Sequence, residues 1–564
     1  MGLRLIYGRA GTGKSEKCYK EISEKIKQNN KILIITPEQF SFTAEKKLME
    51  AIETEAVFNA EVVTFSRMAY RVIQEIGGRT ETNLSKCGKA MLIYSILNNC
   101  KKDLKFLGKT DENVDMAGTA ITEFKKHGIS VEQLKQETEK QSDIYLKNKL
   151  NDINMIYEKF QEQIAGKYID ETDLLTILAQ NVDKVPDFKE NLIYIDEFAG
   201  FTSQEYDIIQ KLVKIAKQVT ITICTDTIHE IKNADTDIFY SNQITINKLL
   251  QLASENDIKI EEVELEQTYR FKTPELKHLE QNLYNSKVKY FEQIPQNIKI
   301  FLAKNQYSEI EEVAKKIYKL VRDENYRYRD IAVITKNIDT YSSLARAIFD
   351  KYNIPIFIDE NRDLSQNILV QYVLSILEIF TKNWTEEAVL NYIKIGFSEI
   401  DEDDLFRLEK YCLKWGIKQN KWKKEFTYGN YDEKDKEEIA RLEEIRKQII
   451  EPLISLKNKL DENKTAEGIS RTIYNFLIEQ NIAEKIKQKQ EKLEEQGLID
   501  LSNEYQNSIQ TTIDILDEIV LVFKDDKITL DKYAQILKVG FKNSSLTKIP
   551  GTQDQVMMGD IDRS

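Results

Sequence analysis

Leu3-Arg4-Leu5-Ile6-Tyr7-Gly8-Arg9-Ala10-Gly11-Thr12-Gly13-Lys14-Ser15 stands at the start of the chain. An apolar β-type run passes straight into G-x-x-x-x-G-K-S, the phosphate-binding P-loop. The spacing has a physical basis. Glycines let the backbone wrap a phosphate with its N–H groups, the lysine reaches the β- and γ-phosphates, and the serine hydroxyl holds Mg²⁺. Glu16 to Gln28 has helical periodicity, which sets the phosphates at a helix N-terminus. Gly8, Gly11, Thr12, Gly13, Lys14 and Ser15 are therefore the expected nucleotide ligands, with Ser15 on the metal.

Further apolar runs follow. Ile32-Leu33-Ile34-Ile35 ends in Thr36-Pro37, and Val62-Val63-Thr64-Phe65 forms a third run. Met68 to Tyr168 is helical in pattern with almost no strand signal. Strands resume at Leu192–Ile195 and Val219–Ile223. This alternation predicts a parallel α/β domain carrying a helical insertion between its third and fourth strands. A second α/β unit is expected from near Ile298, with strands Ile298–Leu302, Ile331–Ile334 and Ile356–Ile358. A helical stretch from about Val370 to Lys538 follows, and Gln555–Gly559 returns to the second sheet. The expected domains are 1–75 with 166–290, a helical insertion 76–165, a second sheet domain 296–370 with 539–564, and a second insertion 371–538. The chain stops at Ser564 within a strand-like run, which points to a truncated protein or fragment.

Leu192–Ile195 leads into Asp196-Glu197. An apolar strand ending in Asp-Glu, downstream of a P-loop, supplies the other half of an ATPase site. Asp196 is placed on Mg²⁺, and Glu197 is the group that polarises the attacking water. Arg270, in Gln267-Thr268-Tyr269-Arg270-Phe271, is a candidate to neutralise charge on the γ-phosphate in the transition state. Thr225-Asp226-Thr227, at a strand tip, is a candidate γ-phosphate sensor. Thr36, Thr64 and Ser66 lie at the ends of the second and third strands, where open α/β sheets bind ligands. Their hydroxyls suit phosphate oxygens of a nucleic-acid strand.

Composition bounds the alternatives. The chain has 564 residues, 31% of them charged and 41% hydrophobic, which predicts a soluble, helix-rich protein of several domains. No apolar run reaches the ~18 residues of a membrane span, and no signal peptide precedes the P-loop. The expected location is cytoplasmic. Net charge is −13, so any nucleic acid is expected to bind in a local groove. Cys18, Cys87, Cys100, Cys224 and Cys412 form no C-x-x-C pair or metal-ligand spacing and read as reduced thiols. His127, His229 and His278 lie far apart and take no catalytic role, and Trp384, Trp415 and Trp422 read as core.

These pieces, in this order, resemble a superfamily 1 helicase motor. More closely, LRLIYGRAGTGKS, ILIITPEQFSFTAEKKL, VVTFSRMAYRV, LIYIDEFAGFTSQE, TYRFKTPELKHLEQNL, YRYRDIAVITKN, IPIFIDE and QVMMGDIDRS are similar to segments of the B subunits of the AddAB helicase–nuclease family. The resemblance covers the whole chain but only about the first half of a family member. It implies two RecA-like parallel-sheet domains, each with a helical insertion. It also implies processing of DNA double-strand ends with ATP and Mg²⁺, single-stranded and double-stranded DNA as substrates, and a heterodimer with an AddA-type helicase–nuclease subunit. The family's nuclease domain and four-cysteine 4Fe–4S cluster belong to its other half. Gly559–Ser564 looks like the start of a nuclease motif but lacks its companions, so neither nuclease activity nor a cluster is expected of this chain alone.

There are departures from a working helicase. No adenine-reading glutamine motif precedes the P-loop. The fifth-strand tip lacks the usual Gly-Asp pair, and no arginine-bearing helix for the ATP site is evident in the second domain. An autonomous superfamily 1 helicase or translocase, and a P-loop recognition scaffold that does not hydrolyse nucleotide, therefore stand as alternatives.

Overall fold

The structure is a computed structural model. It describes residues 2–52, 59–78, 80–107, 112–229, 237–284, 288–360, 362–364, 367–429, 431–495, 499–546 and 554–562. Arg563 and Ser564, the end of the nuclease-like segment, lie outside the described residues. The chain divides into two compact units. One comprises 1–84, 105–107 and 116–301, and the other 85–104, 108–115 and 302–564.

The first unit is built on β1 (Leu3–Gly8), β2 (Lys31–Ile35), β3 (Ala60–Val63), β4 (Thr82–Leu84), β5 (Tyr168–Asp170), β6 (Asn191–Ile195), β7 (Gln218–Cys224) and β8 (Ile260–Glu264). Six of these form one parallel sheet in the order β3-β2-β6-β7-β1-β8, and β4 and β5 pair separately. Alternate side chains divide between two cores. Ile6, Ile34, Val62 and Tyr194 meet α1 (Lys14–Lys27) and α2 (Ser41–Ile52) on one face. Leu5, Leu33, Val63 and Ile195 meet α3 (Phe65–Glu75) and the helix Ser203–Ile215 on the other. A parallel sheet covered on both faces needs apolar residues at nearly every position, which is why β1, β2 and β6 are mostly apolar, with Arg4 in β1 paired to Glu21.

Four segments depart from the expected pattern. β8 was not foreseen, because Ile-Glu-Glu-Val-Glu is an edge strand whose carboxylates face solvent. Short β4 and β5 likewise interrupt the stretch expected to be helical. The opposite correction applies to Ile298–Leu302. It forms no strand, and Ile300 and Leu302 are 89% and 98% exposed. Its β-branched alternation has no ladder partner among the described residues, so propensity alone does not make it a strand.

The second unit has a three-stranded parallel sheet. Its strands are β9 (Ala332–Thr335), β10 (Ile356–Ile358) and β13 (Val556–Asp560), with β13 in the middle; β11 (Arg362–Asp363) and β12 (Ser545–Leu546) form a separate antiparallel pair. Gln555–Gly559 thus returns to the sheet, as its pattern predicts. Helices Gln306–Glu324 and Ile338–Lys351 pack on it. A large helical core runs from Ile368–Thr381 to Leu530–Lys542 and buries Trp384 and Trp422, while Trp415 is half-buried.

The helix α4 (Lys86–Asn99) belongs to this second core through Cys87 and Met91, although it lies in the stretch assigned to the first insertion. A Cβ on Gly540 would overlap Met91 Cε, so the missing side chain there is what permits the close helix approach. Within the same core, Arg446 donates to Glu443 at 2.6 and 2.7 Å and to the Trp422 carbonyl at 3.0 Å. No described helix is long and apolar enough to cross a membrane.

Candidate nucleotide site

The P-loop carries β1 into α1. Gly11 and Gly13 have φ of 76° and 82°, in the left-handed region that glycine adopts without strain. Packing constrains the loop too. A Cβ on Gly8 would lie 2.5 Å from the Leu265 carbonyl oxygen, and one on Gly11 would lie 2.6 Å from Arg270 Cβ. Gly13 caps α1 without any side-chain hydrogen bond to the helix N-terminus, so the first N–H groups remain available for an anion. Thr12 is buried and donates to the Arg9 carbonyl at 2.9 Å. Its hydroxyl shapes the loop, which leaves its backbone N–H as the group it could offer a ligand.

Lys14 Nζ donates to the carbonyls of Gly8 and Arg9 at 2.8 and 3.0 Å. Burial lowers its pKa, and the negative charges of Asp196 and Glu197 oppose that shift. The ammonium is thus held over its own loop, partly desolvated and within electrostatic reach of both carboxylates. A phosphate oxygen is a better partner than a carbonyl because the bond is then fully charge-assisted.

Asp196 and Glu197 follow β6 at its C-terminal end. Asp196 is buried. Its Oδ1 accepts from the Thr222 hydroxyl, and its Oδ2 is buried with no hydrogen-bond partner. Burial raises the Asp196 pKa, the hydrogen bond from Thr222 counters the rise, and the charge of Glu197 adds to it. Glu197 Oε1 accepts from Ser15 Oγ at 3.2 Å and from Lys47 Nζ, on α2, at 3.3 Å. The Glu197 backbone has φ 65°, a conformation that costs a non-glycine residue about 1–3 kcal/mol and clusters at functional sites. Lys14, Ser15, Asp196 and Glu197 are therefore brought together. Lys47 was not foreseen from the sequence, since a lysine within a helical charge run carries no distinguishing signal.

The donor set fits Mg²⁺. The cation takes oxygen ligands, usually one or two carboxylates with substrate phosphates. The orphaned Asp196 Oδ2 and the Ser15 hydroxyl are oxygens of that kind, beside a loop shaped for phosphate. Among the described residues no group of three or more His, Cys, Asp or Glu could hold a metal by itself. The five cysteines are free thiols, and all but Cys224 are buried.

The segment after β8 closes over the loop. Tyr269 N and Arg270 N donate to the Gly11 carbonyl at 2.8 and 3.3 Å. Arg270 is exposed, and its positive charge is felt at Lys14. Arg9, within the loop, reaches Glu280 Oε1 at 3.0 Å, the Glu280 carbonyl at 2.7 Å and Asp226 at 3.9 Å, and its guanidinium lies over the Phe239 ring at 5.0 Å. Asp226 is thus engaged by the loop arginine, and Thr225 is buried and bonded to the Thr227 carbonyl at 2.9 Å. The strand tip forms a local turn linked to the P-loop through Arg9.

Thr36, Thr64 and Ser66 do lie at the ends of β2 and β3, but they do not share a surface. Thr36 is 0% exposed and Thr64 is 5% exposed. Thr64 accepts from Arg67 N at 3.2 Å as the cap of α3. Only Ser66, in the first turn of α3, is partly exposed. The sheet ladder continues one residue past β2 and β3, which draws both threonines inside.

An isosteric test follows from Asp196. Its raised pKa means that the ionised carboxyl costs the nucleotide-free fold stability at neutral pH. That cost vanishes as pH falls through the raised value and the group protonates. Asp196→Asn keeps an acceptor for Thr222 and removes the buried charge. The expected result is a higher melting temperature for the nucleotide-free variant, together with loss of Mg²⁺-dependent nucleotide binding. Thermal melts from neutral to acid pH and a binding titration check both halves.

The family described as ADDB, N-terminal matches residues 5–280. The B subunit of the ATP-dependent helicase/deoxyribonuclease from Clostridium novyi (strain NT) is 37% identical over 573 residues, covering all of this chain and 50% of the relative. That of Clostridium tetani (strain Massachusetts / E88) is 39% identical over 587 residues, covering all of the chain and 51% of the relative. The protein of the same name from Thermoanaerobacter sp. (strain X514) is 37% identical over 580 residues, with 100% and 50% covered. The chain spans about half the length of the curated relatives it matches. The phosphate loop, the Asp-Glu strand end and the segment that closes over them all lie inside the matched residues, and the chain is similar over its whole length to about half the length of the ATP-dependent helicase/deoxyribonuclease B subunits.

Proposed function

We propose that this chain is the nucleotide- and DNA-binding, motor-like half of a B subunit that works on DNA double-strand ends together with an AddA-type partner. The observation that carries the reading is the convergence of Lys14, Ser15, Asp196 and Glu197 at the C-terminal ends of β1 and β6. The six-stranded sheet is taken as the first RecA-like domain, and the sheet of β9, β10 and β13 as part of the second. When bound, Mg²⁺ supplies charge neutralisation at the phosphates. The chain's own residues do the rest. P-loop N–H groups wrap the phosphates, and Lys14 turns from its carbonyls to a phosphate oxygen. Ser15 and Asp196 hold the cation. Glu197 orients water, and exposed Arg270 offers a positive charge to the γ-phosphate.

With Thr36 and Thr64 buried, the proposed DNA surface is carried by Ser66 and by the outer faces of α2 and α3. Phe42 is 78% exposed, and Lys46 and Met49 follow it at helical spacing. Arg67 on α3 pairs loosely with Glu45 at 3.4 Å. Such exposed pairs contribute only ~0–1 kcal/mol and yield readily to a phosphate. An aromatic ring among cations suits single-stranded DNA. Binding to a fluorescent oligonucleotide is expected to fall steeply with salt, by roughly 0.7 log units per phosphate contact for each tenfold rise. Phe42→Ala is expected to weaken it by about 1–3 kcal/mol. Salt-insensitive binding would count against this surface.

One contact favours the second reading, a site that binds ATP without turning it over. Lys47 pairs with Glu197 at 3.3 Å, which draws on the carboxylate that would otherwise polarise water. Phosphate release by the chain, measured with and without DNA ends, separates the two. Turnover supports the motor, whereas tight binding with no turnover supports the scaffold.

A further inference from the structure

The burial of Thr36 leaves its hydroxyl without the DNA role and with another one. In the sheet register Ile35 lies opposite Val63 and Ile195, and Ile195 lies opposite Ile221. The ladder continues for one more step, with Thr36 N donating to the Val63 carbonyl and Asp196 N to the Ile35 carbonyl, both at 3.1 Å. Thr64, Thr36, Asp196 and Thr222 therefore form one row across β3, β2, β6 and β7. Strand alternation puts this row on the face of Ile34, Val62 and Tyr194, the face that α1 covers.

Three members of the row have defined partners. Thr64 caps α3, and Thr222 donates to Asp196 Oδ1. The fourth, Thr36, is fully buried, and its hydroxyl has no hydrogen-bond partner among the described residues. Its neighbour in register carries the matching atom, the buried and unpartnered Oδ2 of Asp196. Parallel strands stand about 4.8 Å apart, so a small rotation, or one ordered water, joins the two groups. A buried polar atom without a partner calls for one, such as an ordered water, an ion or a neighbouring group.

We infer that Thr36 is a positioning residue for the metal ligand Asp196. Thr222 holds one carboxylate oxygen from the β7 side, and Thr36 steadies the other from the β2 side, so that Oδ2 keeps one orientation toward a divalent cation. Thr36 acts on the cation only through this carboxylate. The inference rests on the nucleotide-site reading given above.

The test is a Mg²⁺ titration of the full chain with a non-hydrolysable ATP analogue, for the parent, Thr36→Val and Thr36→Ser. Valine keeps the shape and removes the hydroxyl. The expected result for Thr36→Val is a Mg²⁺ midpoint raised about 10–100-fold, the usual effect of losing a residue that orients a metal ligand. Analogue affinity in EDTA, single-stranded DNA affinity and the metal-free melting temperature are expected to hold or, for the last, to rise. Thr36→Ser is expected to restore the midpoint. An unchanged midpoint in Thr36→Val overturns the inference. So does a raised midpoint accompanied by a lowered melting temperature that serine does not repair, since that pattern marks a packing role. A parent that binds no analogue overturns the nucleotide-site reading and this inference with it.

Discussion

Lys14→Ala is expected to weaken Mg²⁺-ATP binding by roughly 100-fold, about 3 kcal/mol, without unfolding the chain. The magnitude follows from losing charge-assisted bonds to phosphate oxygens in a partly desolvated loop. The retention of fold follows from the local geometry. Among the described residues Lys14 bonds two loop carbonyls, at 2.8 and 3.0 Å, and burial lowers its pKa. An alanine there removes a buried charge and leaves the α1 core of Cys18, Tyr19 and Ile22 intact. Calorimetric titration gives the affinity, and a melt without nucleotide gives the stability. Equal affinities would show that phosphate is held elsewhere. A large drop in melting temperature would show that Lys14 serves the fold.

The largest stability effect is expected at Arg446. Its guanidinium is bidentate to Glu443 at 2.6 and 2.7 Å and also holds the Trp422 carbonyl. Glu443 accepts in addition from Phe426 N at 2.9 Å. Both side chains are buried. Removing one partner strands the other charge in the core, so Arg446→Ala is expected to cost about 3–5 kcal/mol. Acid should act through the same pair. Burial pushes the Glu443 carboxyl up, but the hydrogen bonds from Arg446 and Phe426 outweigh it and leave the pKa below the usual carboxylate range. The pair's contribution is therefore complete at neutral pH and lost as pH falls through that lowered value. Urea unfolding of parent and variant at pH 7 and at acid pH checks this. The gap is expected to shrink on acidification, and a constant gap would assign the loss to packing alone.

What the sequence made legible has a physical pattern. β1, β2, β6 and β7 were readable because strands buried on both faces must be apolar at nearly every position. The P-loop and Asp196-Glu197 were readable because phosphate and cation chemistry demand particular residue types at fixed places. β8 was hidden because an edge strand tolerates three glutamates in five residues. Ile298–Leu302 misled for the converse reason: β-propensity without a neighbouring strand forms nothing. The tips of β2 and β3 were placed correctly along the chain but not in depth, since one further ladder bond decides whether a threonine faces solvent. The anchoring of Arg9 by Asp226 and Glu280 joins residues more than 200 positions apart, and Lys47 meets Glu197 across 150. Neither pairing leaves a local trace in the sequence.

The central claim is that the P-loop and the β6 strand end form one metal–nucleotide site. The most direct test is a crystal structure of the chain with ADP and Mn²⁺ in place of Mg²⁺, in which the anomalous signal locates the cation. The account predicts a peak in coordination distance of the Ser15 hydroxyl, at about 2.1 Å in near-octahedral surroundings, on the side of Asp196 where Oδ2 now lacks a partner. The ADP phosphates should lie on the N–H groups of residues 11–15. A cation or nucleotide bound away from Ser15 and Asp196, with Lys14 still on the Gly8 and Arg9 carbonyls, would contradict it.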